Sequence, residues 1–395
     1  MNRTLARLLR SRSTGTKADR RTWSRVQAGI EHLHNMIHVA LALAGCLFAF
    51  LCAAGNAMAD DQQDIQDAIN ALTGPGTVAV APGRYHIEGT LEIPMGGVVL
   101  RGAGADQTIF FRQTDGTTTP MVHAQQVQGI RISRIRFEGV TAAESDGQEL
   151  GVLLEDVANF RIDHCYFTRT GFAGVRTNGS SYGVVDHCTF SDPYKATVGT
   201  DGYGVAVYGI DSLEGLPFGS EQATFIEDSV FERCRHAVSS NKGARYVFRY
   251  NQVAQNQIAH AIDTHGTEFG SLVGTEWAEI YQNVVGTPIF DRYAVRLRGG
   301  AGVIWNNTFS QYRQAVELTE DTSQPTGPVY IWNNLLDPPT IPLVRARGTM
   351  GMPTYSLVSP DNYVPYPYPT SAGDRLKLMS VRTRIRSFFK AAGLM

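Results

Sequence analysis

Two short segments carry side chains whose types and spacing suit acid–base chemistry on a sugar acid. Asp263 and His265 lie in AIDTH (261–265), and Arg296 and Arg298 lie in AVRLR (294–298). A guanidinium group matches a carboxylate through two parallel hydrogen bonds, so the arginines suit a substrate that carries a carboxylate. A base could then remove the neighbouring proton, and an acid could protonate a leaving oxygen. The combination predicts proton abstraction from C5 of a uronate, followed by β-elimination or epimerisation.

Each role in this chemistry has more than one candidate. His265 or Lys242 would serve as the base, and Tyr208 or His265 as the acid. The predicted catalytic group is Asp263, His265, Arg296, Arg298 and Lys242. The predicted substrate-binding group is Arg176, Asn178, Tyr208, Asn241, His260 and Glu317.

Two other functions fit the same residues. Asp263 and Glu317 would be the carboxyl pair of an inverting glycoside hydrolase, at a backbone separation of about 9.6 Å for two coils. Arg296 between them would lower both pKa values, which disfavours a neutral general acid. A β-helix that binds an acidic polysaccharide without catalysis is the third hypothesis.

The segments that carry these residues belong to a repeat. A unit that starts with Gly or Ala followed by Val or Ile begins at residues 151, 174, 204, 237, 261, 294 and 315, in steps of 23, 30, 33, 24, 33 and 21. A second unit, with sequences such as FRIDHCYF (160–167) and VIWNNTF (303–309), alternates with it. Short strands repeating at 20–30 residues predict an all-β solenoid of stacked coils.

Alternation along the strands assigns the side chains to faces of the sheets. Val175, Val205 and Val238 would face the core, so Asp263, Arg296 and Glu317 form one outward column and His265 and Arg298 another. The long segments 191–203, 209–224 and 266–277 would form walls of a groove beside this face. Tyr281, Trp305 and Trp332 form an outward column on another sheet, where we expect them to pack under residues 353–370.

A polar ladder is expected at the turn of the second unit. Its members are Cys165, Cys188, Ser229, Asn251, Asn283, Asn307 and Asn334. Small polar side chains at one position of every coil can bond the turn backbones of adjacent coils. We expect Cys165 and Cys188 to be reduced members of this ladder.

These patterns resemble the right-handed parallel β-helix of the pectate-lyase-like superfamily over residues 62–345. The opening segments IQDAI (65–69), GPGTVAVAPGRYHIEGTLEIP (74–94) and VLRGAG (99–104) are similar to the way such proteins cap and begin the helix. The resemblance implies a single-stranded right-handed parallel β-helix with an N-terminal cap and a C-terminal tail or cap helix. It does not define the reaction, because one fold carries many activities.

Two local resemblances concern the reaction. SSNKGARYVFRYN (239–251) is similar to a rung of the alginate lyase and chondroitinase B family, which implies that Lys242 is the base. That family's next rung commonly reads Arg-His-Gly, whereas this chain has Thr264-His265-Gly266, so Arg298 would have to replace the arginine. Ile262-Asp263-Thr264-His265 resembles the Asp-Pro-His motif of mannuronan C5-epimerases.

The first 59 residues have the pattern of an export signal with a long leader. A basic region precedes an apolar run over 36–55, and Ala57-Met58-Ala59 forms an A-x-A cleavage site. We therefore expect a periplasmic or secreted protein that starts at Asp60. A lipoprotein anchor at Cys46 and an uncleaved membrane anchor are the alternatives. The predicted domains are the signal at 1–59, the β-helix at 60–350, and a Pro/Tyr-rich segment with a basic amphipathic tail at 351–395.

Charge indicates the partners. Residues 60–373 contain 21 basic and 34 acidic residues, a net charge of −13, which excludes a typical nucleic-acid binder. Basic side chains gathered on one strip of such a body instead favour an anionic polysaccharide. We expect a monomer that meets a membrane only through the signal segment or the basic tail. No cofactor or metal-specific spacing is evident, although calcium would fit the superfamily.

Overall fold

The computed structural model describes residues 61–113, 119–140, 149–193, 201–254, 259–268, 270–286, 288, 292–320, 326–348 and 353–368. The predicted export signal and the predicted C-terminal helix lie outside these residues. Within them, no helix has the length and apolar character needed to cross a bilayer.

The described chain winds as a right-handed parallel β-helix, as predicted. Each coil contributes one strand to each of three sheets, and each strand before the last three pairs in parallel with the strand three positions later in the chain. Sheet 1 contains β1 (Gly76–Ala79), β4 (Val98–Arg101), β7 (Arg131–Ser133), β10 (Ala158–Asp163), β13 (Tyr182–Asp186), β16 (Thr224–Glu227), β19 (Arg245–Arg249), β22 (Trp277–Tyr281), β25 (Gly300–Trp305), β28 (Thr326–Trp332) and β31 (Tyr355–Ser356).

Sheets 2 and 3 have ten strands each. Sheet 2 contains β2 (Gly83–His86), β5 (Thr108–Phe111), β8 (Arg136–Glu138), β11 (Tyr166–Thr168), β14 (Thr189–Ser191), β17 (Val230–Glu232), β20 (Gln252–Val253), β23 (Val284–Val285), β26 (Thr308–Ser310) and β29 (Leu335–Asp337). Sheet 3 contains β3 (Leu91–Ile93), β6 (Pro120–Gln125), β9 (Leu150–Glu155), β12 (Ala173–Asn178), β15 (Tyr203–Tyr208), β18 (His236–Asn241), β21 (Ile262–Thr264), β24 (Tyr293–Leu297), β27 (Gln314–Glu320) and β30 (Val344–Gly348). Sheet 3 thus begins two coils before residue 151, where the sequence repeat was taken to start.

The core consists of like side chains stacked from coil to coil. The rings of Phe137, Phe167, Phe190 and Phe231 stack at centroid separations of 4.8 to 4.9 Å, which is the spacing of adjacent strands. Each ring is fully buried and removes a large apolar area from water, so each coil depends on its neighbours for its stability.

The predicted polar ladder is present at the turn between sheets 1 and 2. The Nδ2 atom of Asn283 donates to the carbonyl of Phe248 at 2.8 Å, and its Oδ1 accepts from the backbone N of Asn251 at 2.9 Å. Asn251, Asn307 and Asn334 repeat this pattern, and Cys165 and Cys188 are buried free thiols in the same column. The residue before each ladder position has φ of 51° to 58°, the bend that turns the chain from one sheet to the next.

Helix α1 (Asp61–Asn70) covers the first coil. Ile65 and Ile69 are buried against the core. The side chain of Gln66 makes the two hydrogen bonds that a neighbouring strand would make. Its Nε2 donates to the Glu92 carbonyl at 3.0 Å, and its Oε1 accepts from the Glu92 backbone N at 2.7 Å. The cap therefore satisfies backbone groups at the open edge of β3.

Residues 353–368, called the strap below, cover the outer face of sheet 1. Tyr363 packs edge-on against Trp305 and Trp332 at 6.5 and 6.1 Å, which confirms the expected packing of the aromatic column. The fully buried Arg249 holds the strap by donating to the carbonyls of Tyr366 at 2.6 Å and Pro367 at 3.1 Å.

Candidate active site

The outer face of sheet 3 carries three polar columns rather than the two that were predicted. The residue pairs at this corner both belong to the core: Ala237 and Val238, Ala261 and Ile262, and Ala294 and Val295. Because two consecutive side chains point inward, the chain bends here. The residue before each alanine consequently faces outward with those of the other two columns. This third column contains the stacked rings of Tyr203, His236, His260 and Tyr293, each 5.6 Å from the next.

Asp263 lies at the centre of a group of charged and aromatic side chains. Arg298 binds it with a bidentate fork, Nε to Oδ1 at 3.1 Å and Nη2 to Oδ2 at 2.5 Å. The Nε2 atoms of His236 and His265 each lie 3.3 Å from the same Oδ2. Arg298 also donates from Nη1 to Glu268 at 2.9 Å. Three coils therefore contribute to the surroundings of a single carboxylate.

The electrostatics of this group keep Asp263 ionised. Burial opposes its charge, but Arg298, His236 and His265 outweigh burial and hold the pKa of Asp263 well below its ordinary value. A carboxylate only accepts hydrogen bonds, so Asp263 favours the tautomer of His265 that carries a hydrogen on Nε2, the atom 3.3 Å from Oδ2. Asp263 thus fixes the tautomer of His265, as a carboxylate does in a catalytic dyad.

His236 is a member of the site that the sequence did not single out. It is completely buried, and its Nδ1 donates to the carbonyl of His260 at 2.6 Å. Burial lowers its pKa well below the ordinary value, while Asp263 acts in the opposite sense. His260 stacks on it, and burial lowers the pKa of His260 to about 4. Both rings are therefore neutral at pH 7.

Arg296 and Glu317 form a separate ion pair further along the same column. The Nε of Arg296 lies 3.0 Å from Oε2 of the buried Glu317, and the Nε of Arg347 lies 2.9 Å from its Oε1. Arg296 is one coil from Asp263 and Glu317 is two coils away, as predicted. Arg345 and Arg347 lie in the next strand, β30, and were not identified from the sequence.

Arg176, Asn178 and Tyr208 form a second cluster on earlier coils of sheet 3. The Nε of Arg176 donates to Oδ1 of Asn178 at 2.8 Å, and its guanidinium group lies 4.8 Å from the ring of Tyr208. Asn178 in turn donates to Glu155 at 2.9 Å. Burial raises the pKa of Tyr208, so the phenol keeps its proton. This cluster lies on the predicted face but contacts a different set of residues from Asp263.

Lys242 and Asn241 lie at the end of β18. The Nζ of Lys242 lies 4.0 Å from Oδ2 of Asp211, and 43% of its side chain is exposed. Asn241 accepts from the backbone N of Lys242 at 2.8 Å and donates to the carbonyl of Glu268 at 3.4 Å. Asn241 therefore supports the loop that supplies Glu268, and Lys242 contacts Asp211 rather than the Asp263 group.

The predicted walls are only partly where we expected them. The segments 209–224 and 266–277 both run from the C-terminal end of a strand in sheet 3 to the next strand in sheet 1. The later part of the first segment folds over sheet 1 instead of rising beside the groove, because Trp277 donates to the carbonyl of Leu216 at 2.8 Å and Glu279 accepts from the backbone of Gly219 at 2.5 Å. Among the described residues, no group of three or more His, Cys, Asp or Glu side chains is placed to hold a metal ion, and calcium binding stays a prediction.

The family follows from a match to the sequence. A family model described as rhamnogalacturonase A/epimerase, pectate lyase-like, matches residues 51–292, which is more than half of the chain. The chain belongs to this family. The match includes the strands that carry Asp263 and His265 and ends before Arg296. Among curated proteins, no sequence matches the chain.

Several solved structures are similar to this family member. A PL6 alginate lyase in complex with a trisaccharide is 12% identical, with 72% of this chain and 59% of that chain covered and a TM-score of 0.47. The mannuronan C-5 epimerase A-module of Azotobacter vinelandii is 13% identical, with 78% and 98% covered and a TM-score of 0.40. The GH87 alpha-1,3-glucanase of Streptomyces thermodiastaticus is 14% identical, with 78% and 69% covered and a TM-score of 0.47. The chain thus spans 59% of the length of the lyase.

Proposed function

We propose that the protein is an enzyme that removes the C5 proton of a uronate residue in an acidic polysaccharide, as a lyase or an epimerase. The observation that carries this proposal is the Asp263 carboxylate, which is buried, ionised and within 3.3 Å of the Nε2 of His265. The family description, which names a rhamnogalacturonase and an epimerase, supports a polysaccharide substrate.

His265 is the proposed base. Its Nε2 faces Asp263 at 3.3 Å, so we assign the hydrogen to Nε2 and the C5 proton to the lone pair of Nδ1, and Asp263 would stabilise the imidazolium that results. Lys242 stays the alternative base. Its Nζ contacts Asp211, so a role in catalysis requires that side chain to turn toward the substrate.

The two arginines take different roles in this proposal. Arg298 bonds to both Asp263 and Glu268, so we assign it to positioning the carboxylate rather than to binding substrate. Arg296 shares its partner Glu317 with Arg347 and is the better candidate to neutralise the uronate carboxylate. A cation at that place stabilises the negative charge that builds on the carboxylate as the C5–H bond breaks.

The bonds that change define the two outcomes. In elimination, the C5–H electrons form the C4–C5 double bond, the C4–O bond breaks, and the leaving oxygen takes a proton from His265 or from Tyr208. In epimerisation, the C4–O bond stays intact, C5 receives a proton on its opposite face from Tyr208 or from water, and His265 returns its proton to the solvent. Both begin with the same step at His265.

Inverting hydrolysis has less support. It needs one carboxyl group that is protonated before reaction. Asp263 is bound by Arg298 and ionised, and Glu317 lies between Arg296 and Arg347. The surroundings of Asp263 do not favour a neutral acid.

The test is exchange of the C5 proton with solvent. The chain that starts at Asp60 is incubated in deuterium oxide with a panel of uronate polymers, and deuterium at C5 and unsaturated uronate are followed by NMR and ultraviolet absorbance. Unsaturated product supports a lyase, and deuterium in an intact polymer supports an epimerase. Cleavage to saturated products supports the hydrolase, and binding without any change supports the non-catalytic hypothesis.

We also propose export to the periplasm or beyond, since the residues before Asp60 have the pattern of a signal peptide. Fractionation of cells expressing the full chain, with N-terminal sequencing of the product, tests cleavage after Ala59. Retention in the membrane fraction with an intact N-terminus would overturn cleavage.

A further inference from the structure

The charge on the outer face of sheet 3 is unevenly distributed along the helix axis. On the first coils, His123 bridges two glutamates, with Nδ1 at 2.9 Å from Glu92 and Nε2 at 3.1 Å from Glu155. On the last coils, Arg296 and Arg347 pair with one carboxylate, that of Glu317, and Arg345 is the neighbour of Glu317 in the next strand. One end of the face is therefore acidic and the other basic.

The arginines at the basic end still have room for a ligand. Arg347 forms an ion pair with Glu317 through its Nε and keeps 46% of its side chain exposed, whereas only 13% of the Arg298 side chain is exposed. The Nη1 of Arg345 donates to the hydroxyl of Tyr293 at 3.0 Å, which holds the side chain without neutralising it. Within the described part of the chain, no carboxylate pairs with Arg345.

The register places these arginines on the same columns as the candidate active site. Arg345 follows Glu317, Arg296 and Asp263 in consecutive coils. Three coil spacings separate Arg345 from Asp263 by about 14 Å. An exposed guanidinium fork recognises a carboxylate directly, and a row of them matches a polymer with a carboxylate on each sugar.

We propose that Arg345 and Arg347 form a carboxylate-binding subsite for the polyuronate, three coils beyond Asp263. This inference rests on the proposed function and assigns the direction in which the bound polymer extends along the helix axis. The bound polymer extends from the reacting sugar over the C-terminal coils, because Glu92 and Glu155 repel it from the N-terminal ones.

Chain-length dependence tests the subsite. R345Q, which leaves the pairing of Glu317 with Arg296 and Arg347 intact, is compared with wild type on uronate oligosaccharides of increasing length. We expect KM to rise about three- to tenfold, with kcat unchanged, only for oligomers long enough to reach 14 Å beyond the reacting sugar. R84Q is the matched control, because Arg84 is an exposed arginine on sheet 2, 53% exposed. An equal rise in KM for the shortest substrates, or none for the longest, would overturn the subsite.

A binding measurement separates this proposal from the proposed function. Affinity electrophoresis of D263N and of D263N/R345Q in gels with polyuronate requires no turnover. At low salt, the polyuronate should retard the double variant several-fold less than it retards D263N. This difference should shrink at high salt. A neutral glucan gel should show no difference. Equal retardation of the two variants in polyuronate would refute the subsite even if the enzyme is a lyase, and a clear difference would support it even if turnover is absent.

Discussion

At the scale of single residues, Asp263 matters because it is an ionised carboxylate with one oxygen close to three nitrogen atoms, Nη2 of Arg298 and Nε2 of His236 and His265. Arg298 fixes its orientation, and His265 depends on it for its tautomer. Glu317 has a comparable arginine environment, but no histidine ion pair involves it in the described residues. The two carboxylates of one column should therefore contribute differently to catalysis.

The first prediction compares D263N with E317Q. We expect D263N to lower kcat about 10²–10⁴-fold, because an amide can present its N–H to His265 and select the wrong tautomer. E317Q should lower kcat less than about tenfold, because Glu317 only holds Arg296 and Arg347. Steady-state rates on the best uronate polymer measure both. Equal losses in the two variants would instead favour the hydrolase.

The second prediction concerns the pH dependence of stability. Burial holds the pKa of His236 below its ordinary value, so as pH falls below about 6.5 the unfolded chain binds a proton there and the folded chain does not. Stability is therefore full above that pH and decreases on acidification. H236F keeps a ring between Tyr203 and His260 but cannot titrate.

Urea unfolding at about pH 7.5 and about pH 5 measures this effect. The unfolding free energy should fall by about 1–2 kcal/mol less in H236F than in wild type when the pH is lowered from about 7.5 to about 5. Each pH unit over which only the unfolded chain binds the proton is worth about 1.4 kcal/mol. H86F is the control, because His86 is on sheet 2 with 40% of its side chain exposed. An identical pH dependence in wild type and H236F would show that His236 takes up a proton in the folded state as well.

At the scale of elements, the turn ladder joins one coil to the next. Asn283 donates to Phe248 and Tyr281 carbonyls and accepts from the backbone of Asn251, all in a buried turn. Truncation of such a side chain leaves several backbone groups without partners.

The third prediction is that N283A lowers the free energy of unfolding by about 2–4 kcal/mol. Q252A should change it by less than about 0.5 kcal/mol, because Gln252 is exposed on sheet 2. Thermal and urea unfolding followed by circular dichroism check the pair. A loss in N283A no larger than in Q252A would mean that water replaces the ladder contacts.

The repeat explains why much of the fold was predictable. Ile162, Val185 and Ile226 recur at one position of successive coils, and that periodicity defines the coil and its inward face before any contact is known. The site was predictable where it follows the same periodicity, as Asp263, Arg296 and Glu317 do. Glu268 was missed because it lies on an irregular loop, and its distance from Arg298 depends on how that loop folds back.

His236 was missed for a different reason. Strict alternation from Val238 places His236 toward the core, but the small residue at 237 allows a bend that turns it outward. Arg345 and Arg347 were missed because their strand lacks the pair of Gly or Ala followed by Val or Ile with which the seven repeat units begin. Alternation thus fails at corners and at the last coil, where backbone bends and edge effects decide which way a side chain points.

At the scale of the whole molecule, the strap covers the outer face of sheet 1. Arg249 is its anchor, since it donates to Glu227 at 2.8 Å within the fold and to two strap carbonyls. Tyr368 adds a hydrogen bond to Asp228 at 2.7 Å.

The fourth prediction is that R249L lowers the free energy of unfolding by about 3–5 kcal/mol and exposes the strap to protease. The loss is large because the buried Glu227 is left without the cation that it pairs with. E227L/R249L should recover part of it, and R84L should match wild type. Scanning calorimetry and limited proteolysis measure these effects. A strap that is still protected in R249L would show that its aromatic contacts suffice.

The amides of Gln62 and Gln66 have a consequence for behaviour in solution. They occupy N–H and C=O groups on the first coil that would otherwise be free to pair with any extended chain. A parallel β-helix whose end is open can template the addition of another copy, and repeated addition gives a fibre. We therefore expect Gln62 and Gln66 to prevent this end of the β-helix from pairing with another copy.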